Sequence, residues 1–145
     1  MRDALRSLPL LAGLSTLALE LLDQHVREST VPAGHFVVRE GEPGRHLFLI
    51  DRGSVRIFKR SHGAEHDLAR LGEGGFFGEM GVIDREGRSA NVVAVAETRL
   101  LILSFVAFEI LADQLPLDYA RFLENLAREL IRRLRELDER FATVT

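Results

Sequence analysis

Ser54-Val55-Arg56-Ile57-Phe58-Lys59-Arg60 and Asp67-Leu68-Ala69-Arg70-Leu71, joined by His62-Gly63-Ala64-Glu65, form the pair of runs whose reading decides the fold class. In the first run Val55 and Ile57 fall on one face and Arg56 and Phe58 on the other, the period of two of a half-buried strand. The glycine and polar residues between the runs read as a hairpin tip, and the second run as the return strand. Outward from this hairpin the same texture continues. Upstream lie the tight turn Asp51-Arg52-Gly53, the short apolar strand Leu47-Phe48-Leu49-Ile50 and the turn Gly41-Glu42-Pro43-Gly44. Before them, Val31-Pro32-Ala33-Gly34-His35-Phe36-Val37-Val38 reads as a turn followed by a β-rich run. Downstream, Asn91 to Ala96 and Arg99 to Leu103 are two more strands separated by Glu97-Thr98. Short strands with turns every eight to twelve residues or so predict a mainly β domain, a double-stranded β-helix or jelly-roll barrel.

Helices are expected at both ends. Ser15 can cap a helix running to about His25, with Leu17, Leu21 and Leu22 on one face and Glu20, Asp23 and Gln24 on the other. Ser104 can cap a short helix from Phe105 to Leu111, which Leu115-Pro116 ends. From Asp118 a helical pattern runs to about Phe141, with Tyr119, Leu123, Leu126, Leu130, Leu137 and Phe141 near one stripe and Leu134 beside it. Glu129 with Arg133 and Glu136 with Arg140 are favourable pairs four residues apart. The pattern predicts a single domain over 1–145, with a helical part at 1–30, a β-roll at 31–103 and C-terminal helices at 104–145. The last helix is longer than such a roll can cover, so its outer half is expected to pack on another chain, a second copy being the simplest candidate.

Composition narrows the function classes. The chain has 145 residues, 19 basic and 22 acidic, for a net charge of −3. There is no general field for nucleic acid, and an anion must be held locally. The absence of cysteine removes disulfides and thiolate metal sites, and points to the cytoplasm. Arg2, Arg6 and the apolar run after them faintly imitate a secretory signal, but Asp3 sits in the basic region and Ser15-Thr16 interrupt the run. The 13 uncharged residues from Ser7 to Leu19 are too few to span a bilayer.

The chemistry concentrates after the hairpin. Gly72-Glu73-Gly74-Gly75-Phe76-Phe77 leads into Gly78-Glu79-Met80-Gly81-Val82-Ile83-Asp84-Arg85-Glu86-Gly87-Arg88-Ser89-Ala90. A helical turn opening at Gly78 would aim its free N–H groups at an anion, and glycine permits close approach. Arg88 brings a planar, permanently charged fork, and Ser89 a hydroxyl. Together with Glu79, these describe a pocket for a phosphorylated sugar, the acid being free to accept from a ribose hydroxyl.

This stretch resembles the phosphate-binding cassette of cyclic-nucleotide-binding domains, the sensors of catabolite-activator-type regulators, cyclic-nucleotide-dependent kinase regulatory subunits and cyclic-nucleotide-gated channels. That cassette reads roughly F-G-E-x-A-L, a variable stretch, then P-R-x-A; Phe77 to Val82 and Arg88-Ser89-Ala90 match it. Pro32-Ala33-Gly34, Arg39 to Gly44, Arg52-Gly53-Ser54-Val55 and the final helices extend the similarity over nearly the whole chain. The resemblance implies a ligand, cyclic AMP or cyclic GMP, and no other cofactor or metal. Within residues 76–90, Gly78 and the amides that follow it, Met80 and Gly81 among them, would hold the cyclic phosphate with Arg88 and Ser89, Glu79 would accept from the ribose 2′-hydroxyl, and Phe77 and Ala90 complete the ligand-binding set. Ile57, Leu68 and Leu71 would wall the purine, and Arg133 and Leu134 fall near the base. Gly75, Gly87 and Asn91 depart from the usual aspartate, proline and threonine or serine, and none of them removes a ligand-contacting group.

Other readings are weaker. Arg88 and Glu79 on their own could be a surface ion pair. The glycines lack the Gly-Lys-Ser/Thr of a triphosphate loop and miss the dinucleotide spacing by one residue. His62 and His66 lie at a hairpin rather than on a metal-binding helix face. No nucleophilic arrangement is visible, and an enzyme is not expected. Arg132-Arg133-x-Arg135 is neutralised by neighbouring acids, and the sequence after Phe141 leaves no room for a helix-turn-helix, so neither nucleic acid nor membrane is an expected partner. Arg133 either covers a dimer margin with its alkyl stem or places its guanidinium on the purine. The expected function is a regulatory sensor acting through an unknown downstream protein. The alternative is a ligand-free β-roll used for dimerisation.

Overall fold

The computed structural model describes residues 2–79 and 88–144. The chain opens with α1 (Arg2–Arg6), a 3-10 turn (Pro9–Leu11) and α2 (Thr16–Asp23). Then come β1 (Val26–Val31), β2 (Phe36–Val38), β3 (His46–Arg52), β4 (Val55–Ser61), β5 (Ala64–Leu71), β6 (Phe76–Phe77), β7 (Asn91–Ala94) and β8 (Thr98–Ser104). It closes with α3 (Phe105–Gln114) and α4 (Pro116–Val144). The strands pair antiparallel in two four-stranded sheets, β1-β8-β3-β6 and β2-β7-β4-β5. This is the expected jelly roll, built as a sandwich rather than a closed barrel.

The central strands of the first sheet explain the packing. In β3 and β8 alternate residues face opposite ways, and both faces are covered. Leu47, Leu49, Leu101 and Leu103 join the helices in one core, while Phe48, Ile50, Leu100 and Ile102 meet Val55 and Val92 of the second sheet in another. A strand buried on both sides needs a continuous apolar run, which is what these segments carry. Each such side chain contributes about 1.5–3 kcal/mol on burial.

The apolar N-terminal run belongs to the helix-side core, where Leu5, Leu8, Leu10, Leu11, Leu14, Ala18, Leu19 and Leu22 are buried. Ser15 caps α2, accepting from the Ala18 amide at 3.2 Å, and its own N–H and hydroxyl donate to the Asp118 carboxylate at 2.7 and 2.9 Å. Asn125 donates to the carbonyls of Leu10 (3.0 Å) and Ala12 (2.8 Å). The first half of α4 is thus moored to the N-terminal segment. Its inner face, Tyr119, Leu123, Leu126 and Leu130, packs into that core, whereas Ile131 and Leu134 are 50% and 59% exposed. Among the described residues no helix is long and apolar enough to cross a membrane.

Several boundaries differ from the sequence reading. Residues 1–30 are not wholly helical, because Val26–Val31 forms β1 along the edge beside β8. Only part of that strand turns inward, so its sequence lacks an apolar signature. The hairpin turns on His62 and Gly63 alone, since Ser61 already pairs with Ala64 and the return strand starts there rather than at Asp67. β6 was hidden in the glycine-rich segment. Ser104 does cap α3, through the Val106 amide at 3.2 Å, but the helix continues to Gln114. Of the two helical ion pairs, Glu129–Arg133 survives at 3.9 Å, while Glu136 accepts from Arg132 and Arg140 donates to the Leu68 carbonyl.

Candidate functional site

At the end of the second core the two sheets part, and α4 crosses the opening to leave a cavity of about 610 Å³. That is the size of a small-molecule site. Ile57, Leu68, Leu71, Phe77, Gly78, Glu79, Arg88, Ser89, Ala90 and Arg133 all line it. The structure therefore brings together ten residues drawn from four separated stretches of sequence. Met80 and Gly81, and the helical turn read after Gly78, lie outside the described residues. The cavity also takes in Val38, Ala69, Arg70, Val92, Arg132, Glu136, Leu137 and Arg140, none of which the sequence reading assigned to the site. Leu137 and Arg140 carry the signal that could have found them, being one and two turns beyond Arg133 on the same helix.

The apolar wall depends on an irregularity. Opposite β4, Ala69 pairs with Ile57 and Asp67 with Phe58, so Leu68 is an extra residue in the ladder. Such a bulge re-aims a side chain. Leu68 lines the cavity, and its carbonyl accepts from Arg140 of α4 at 3.3 Å. On the opposite face of β4, Phe58 is buried beneath the guanidiniums of Arg56 and Arg60 and edge-on to Phe36.

The polar wall starts at β6. Phe77 stacks on Phe48 with ring centroids 4.9 Å apart, and the chain then turns at Gly78 with φ +86°. A β-carbon there would lie 2.7 Å from Arg88 Nη1 and 2.8 Å from the His46 carbonyl, so glycine is required twice over, by conformation and by space. Arg88 donates from Nη2 to the His46 carbonyl at 3.0 Å and from Nη1 to the Gly78 carbonyl at 3.5 Å, and it lies 5.3 Å over the Phe48 ring. Neutral carbonyls orient the fork without cancelling its charge. Burial lowers the Arg88 pKa, and Glu79 and Glu42 oppose that shift.

Glu79 is the buried acid of the site, 7% exposed. Burial raises its carboxyl above the ordinary range, while its own amide, Arg133 and Arg88 pull it back. Arg133 approaches from α4: Nη1 donates to Glu79 at 3.3 Å and Nη2 to the Phe76 carbonyl at 2.7 Å, with the guanidinium 4.3 Å over the Phe76 ring. This arginine, read from sequence as a dimer-margin or purine residue, is engaged with the acid and with β6. Arg132 beside it pairs with Glu129 and Glu136 of the same helix. Among the described residues no group of three or more histidines and acids could hold a metal.

A two-sheet roll whose open end presents an oriented arginine, a glycine turn and a buried carboxylate beside an apolar wall is a small-ligand-binding domain. The chain belongs to the cyclic nucleotide-binding domain family, whose model matches residues 28–114. The cyclic AMP receptor protein of Thermus thermophilus is 40% identical over 132 residues, 90% of this chain and 59% of that protein. A cyclic nucleotide-gated potassium channel of Rhizobium etli is 39% identical over 110 residues, 76% of this chain and 30% of the channel. The chain thus spans less than two thirds of the first relative and less than one third of the second. Among solved structures, a cyclic nucleotide-binding domain from Methylobacillus flagellatus superposes with a TM-score of 0.85 at 28% identity, covering 99% of this chain and 81% of that one. The Thermus thermophilus catabolite activator protein superposes with a TM-score of 0.76 at 36% identity, covering 94% and 62%.

Proposed function

We propose that this chain is a regulatory sensor that binds cyclic AMP or cyclic GMP in the cavity beneath α4. The observation that carries the reading is the joint placement of Arg88 and Glu79 on one wall, with the apolar residues facing them. The Arg88 fork and the Ser89 hydroxyl meet the cyclic phosphate, where charge-assisted hydrogen bonds are strong because water is partly excluded. Glu79 accepts from the ribose 2′-hydroxyl. Ile57, Leu68 and Leu71 flank the purine.

Occupancy is read out through α4. Arg133 joins that helix to Glu79, so a ligand hydroxyl arriving at the carboxylate changes what Arg133 can hold. The ligand shifts the helix only by the difference in its affinity for the two arrangements. Beyond Leu130 the helix offers Ile131 and Leu134 to a second copy of the chain, and a further cytoplasmic protein receives the signal. Cyclic AMP is the first ligand to test, as relatives include a cyclic AMP receptor protein and a cAMP-dependent kinase regulatory subunit of Neurospora crassa. Cyclic GMP is the second, because a cGMP-dependent kinase of Drosophila melanogaster is also related.

Calorimetric titration with each nucleotide tests the proposal. Heat of binding with a rise in melting temperature is expected for at least one of them. No heat and no rise with either would leave the β-roll as an interaction module, and turnover of either would make it an enzyme.

A further inference from the structure

Arg88 enters the cavity across the turn that ends at Gly44. The two segments are tied at the main chain: the Gly41 amide donates to the Arg88 carbonyl and the Arg88 amide to the Glu42 carbonyl, each at 2.8 Å. The Glu40 amide donates to the buried Asn91 side chain, also at 2.8 Å. From this fixed root the arginine passes directly over Gly44. A β-carbon built there would lie 2.3 Å from Arg88 Nε and Cζ and 2.8 Å from Cδ. Gly44 is not among the glycines with positive φ, so its backbone admits alanine. What the glycine supplies is room. Phe48 lies under the guanidinium and Gly78 flanks it, so the fork runs through a slot with a glycine on either side.

We infer that Gly44 is a positioning residue for Arg88: the space left by its absent side chain is the path of the arginine, and it fixes where the guanidinium meets an anionic ligand. A methyl group at position 44 collides with the stem and head of Arg88 and turns the fork away from the His46 and Gly78 carbonyls. The consequence for ligand affinity rests on the cyclic-nucleotide reading above; the placement of Arg88 in the free protein does not.

Gly44→Ala tests both parts. In the ligand-free protein, the arginine Nε–Hε cross-peak of Arg88, assigned through Arg88→Lys, is expected to shift while the far-ultraviolet dichroism and melting temperature stay close to those of the parent. Titration with cyclic AMP and cyclic GMP is expected to show affinity reduced about tenfold to a hundredfold, the worth of a charge-assisted hydrogen bond. In the Arg88→Ala background, which lacks both the colliding stem and the guanidinium, Gly44→Ala should cost nothing further. An unmoved cross-peak overturns the inference, and so does an equal loss of affinity in both backgrounds. If the parent binds neither nucleotide while the cross-peak moves, the nucleotide reading fails and the positioning role stands.

Discussion

The first sheet buries side chains on both faces, and the two faces lead to different places. Toward the helices, Leu47, Leu49, Phe76, Leu101 and Leu103 meet a core made almost wholly of leucine and phenylalanine. Toward the second sheet, Phe48, Ile50, Phe77, Leu100 and Ile102 form a smaller core, and its open end carries Glu79 and Arg88. The larger core is where stability is stored. Beside the smaller one the protein bears the desolvation of an acid and an arginine, a cost offset in part by Arg133 against Glu79 and by the His46 and Gly78 carbonyls against Arg88. β6 belongs to both regions: Phe76 points to one core and Phe77 to the other, and the next two residues are the turn and the acid.

Substitutions that separate the two regions should give opposite profiles. The largest effect is expected from Leu101→Ala, which opens a cavity in the helix-side core and should cost about 2–5 kcal/mol in urea denaturation. Nucleotide affinity of the folded fraction should not change; if it falls in step, the two faces are not independent. Arg88→Ala should do the reverse, lowering affinity for cyclic AMP or cyclic GMP by about 1.5–3 kcal/mol. The melting temperature should hold or rise, because a partly buried cation has been removed.

Glu79 sharpens the comparison through pH. Because its carboxyl is raised by burial, the folded protein takes up this proton at higher pH than the unfolded chain does. Its contribution to stability is therefore fully present below the unfolded pKa and lost as pH rises through the folded one. Affinity should move the other way. As pH falls from neutral through the raised Glu79 pKa, nucleotide binding should weaken as Glu79 protonates and loses its charge toward the ribose hydroxyl and Arg133. Titrations across that range should show the slope, and Glu79→Gln should flatten it. The smallest effect is expected at the N-terminal mooring, where Ser15→Ala removes the α2 cap and the hydroxyl bond to Asp118, for about 1 kcal/mol in thermal or urea melts with binding intact.

Much of this architecture was legible because strands buried on both faces carry continuous apolar runs and turns carry glycine. The run Leu47 to Ile50 and the run Leu100 to Leu103 announced themselves. β1 did not, since Val26-Arg27-Glu28-Ser29-Thr30-Val31 is an edge strand with few inward positions, and a two-residue strand such as β6 is too short to have a period. In the site, Glu79 and Arg88 stood out by motif, but the partner of Glu79 did not. Arg133 lies 54 residues away on α4; its sequence context marked it as a residue of interest but carried no sign that Glu79 is what it meets.

By itself, the sequence determined the β-roll with its flanking helices and which residue types gather in the 76–90 stretch, because period, turn residues and motif spacing are local properties of the chain. Tertiary structure decided what those residues meet. It turned Leu68 into the cavity through a bulge, set Arg133 rather than solvent against Glu79, and laid Arg88 across Gly44. Each of these is a contact between segments whose separation in sequence carries no signal of their distance in space.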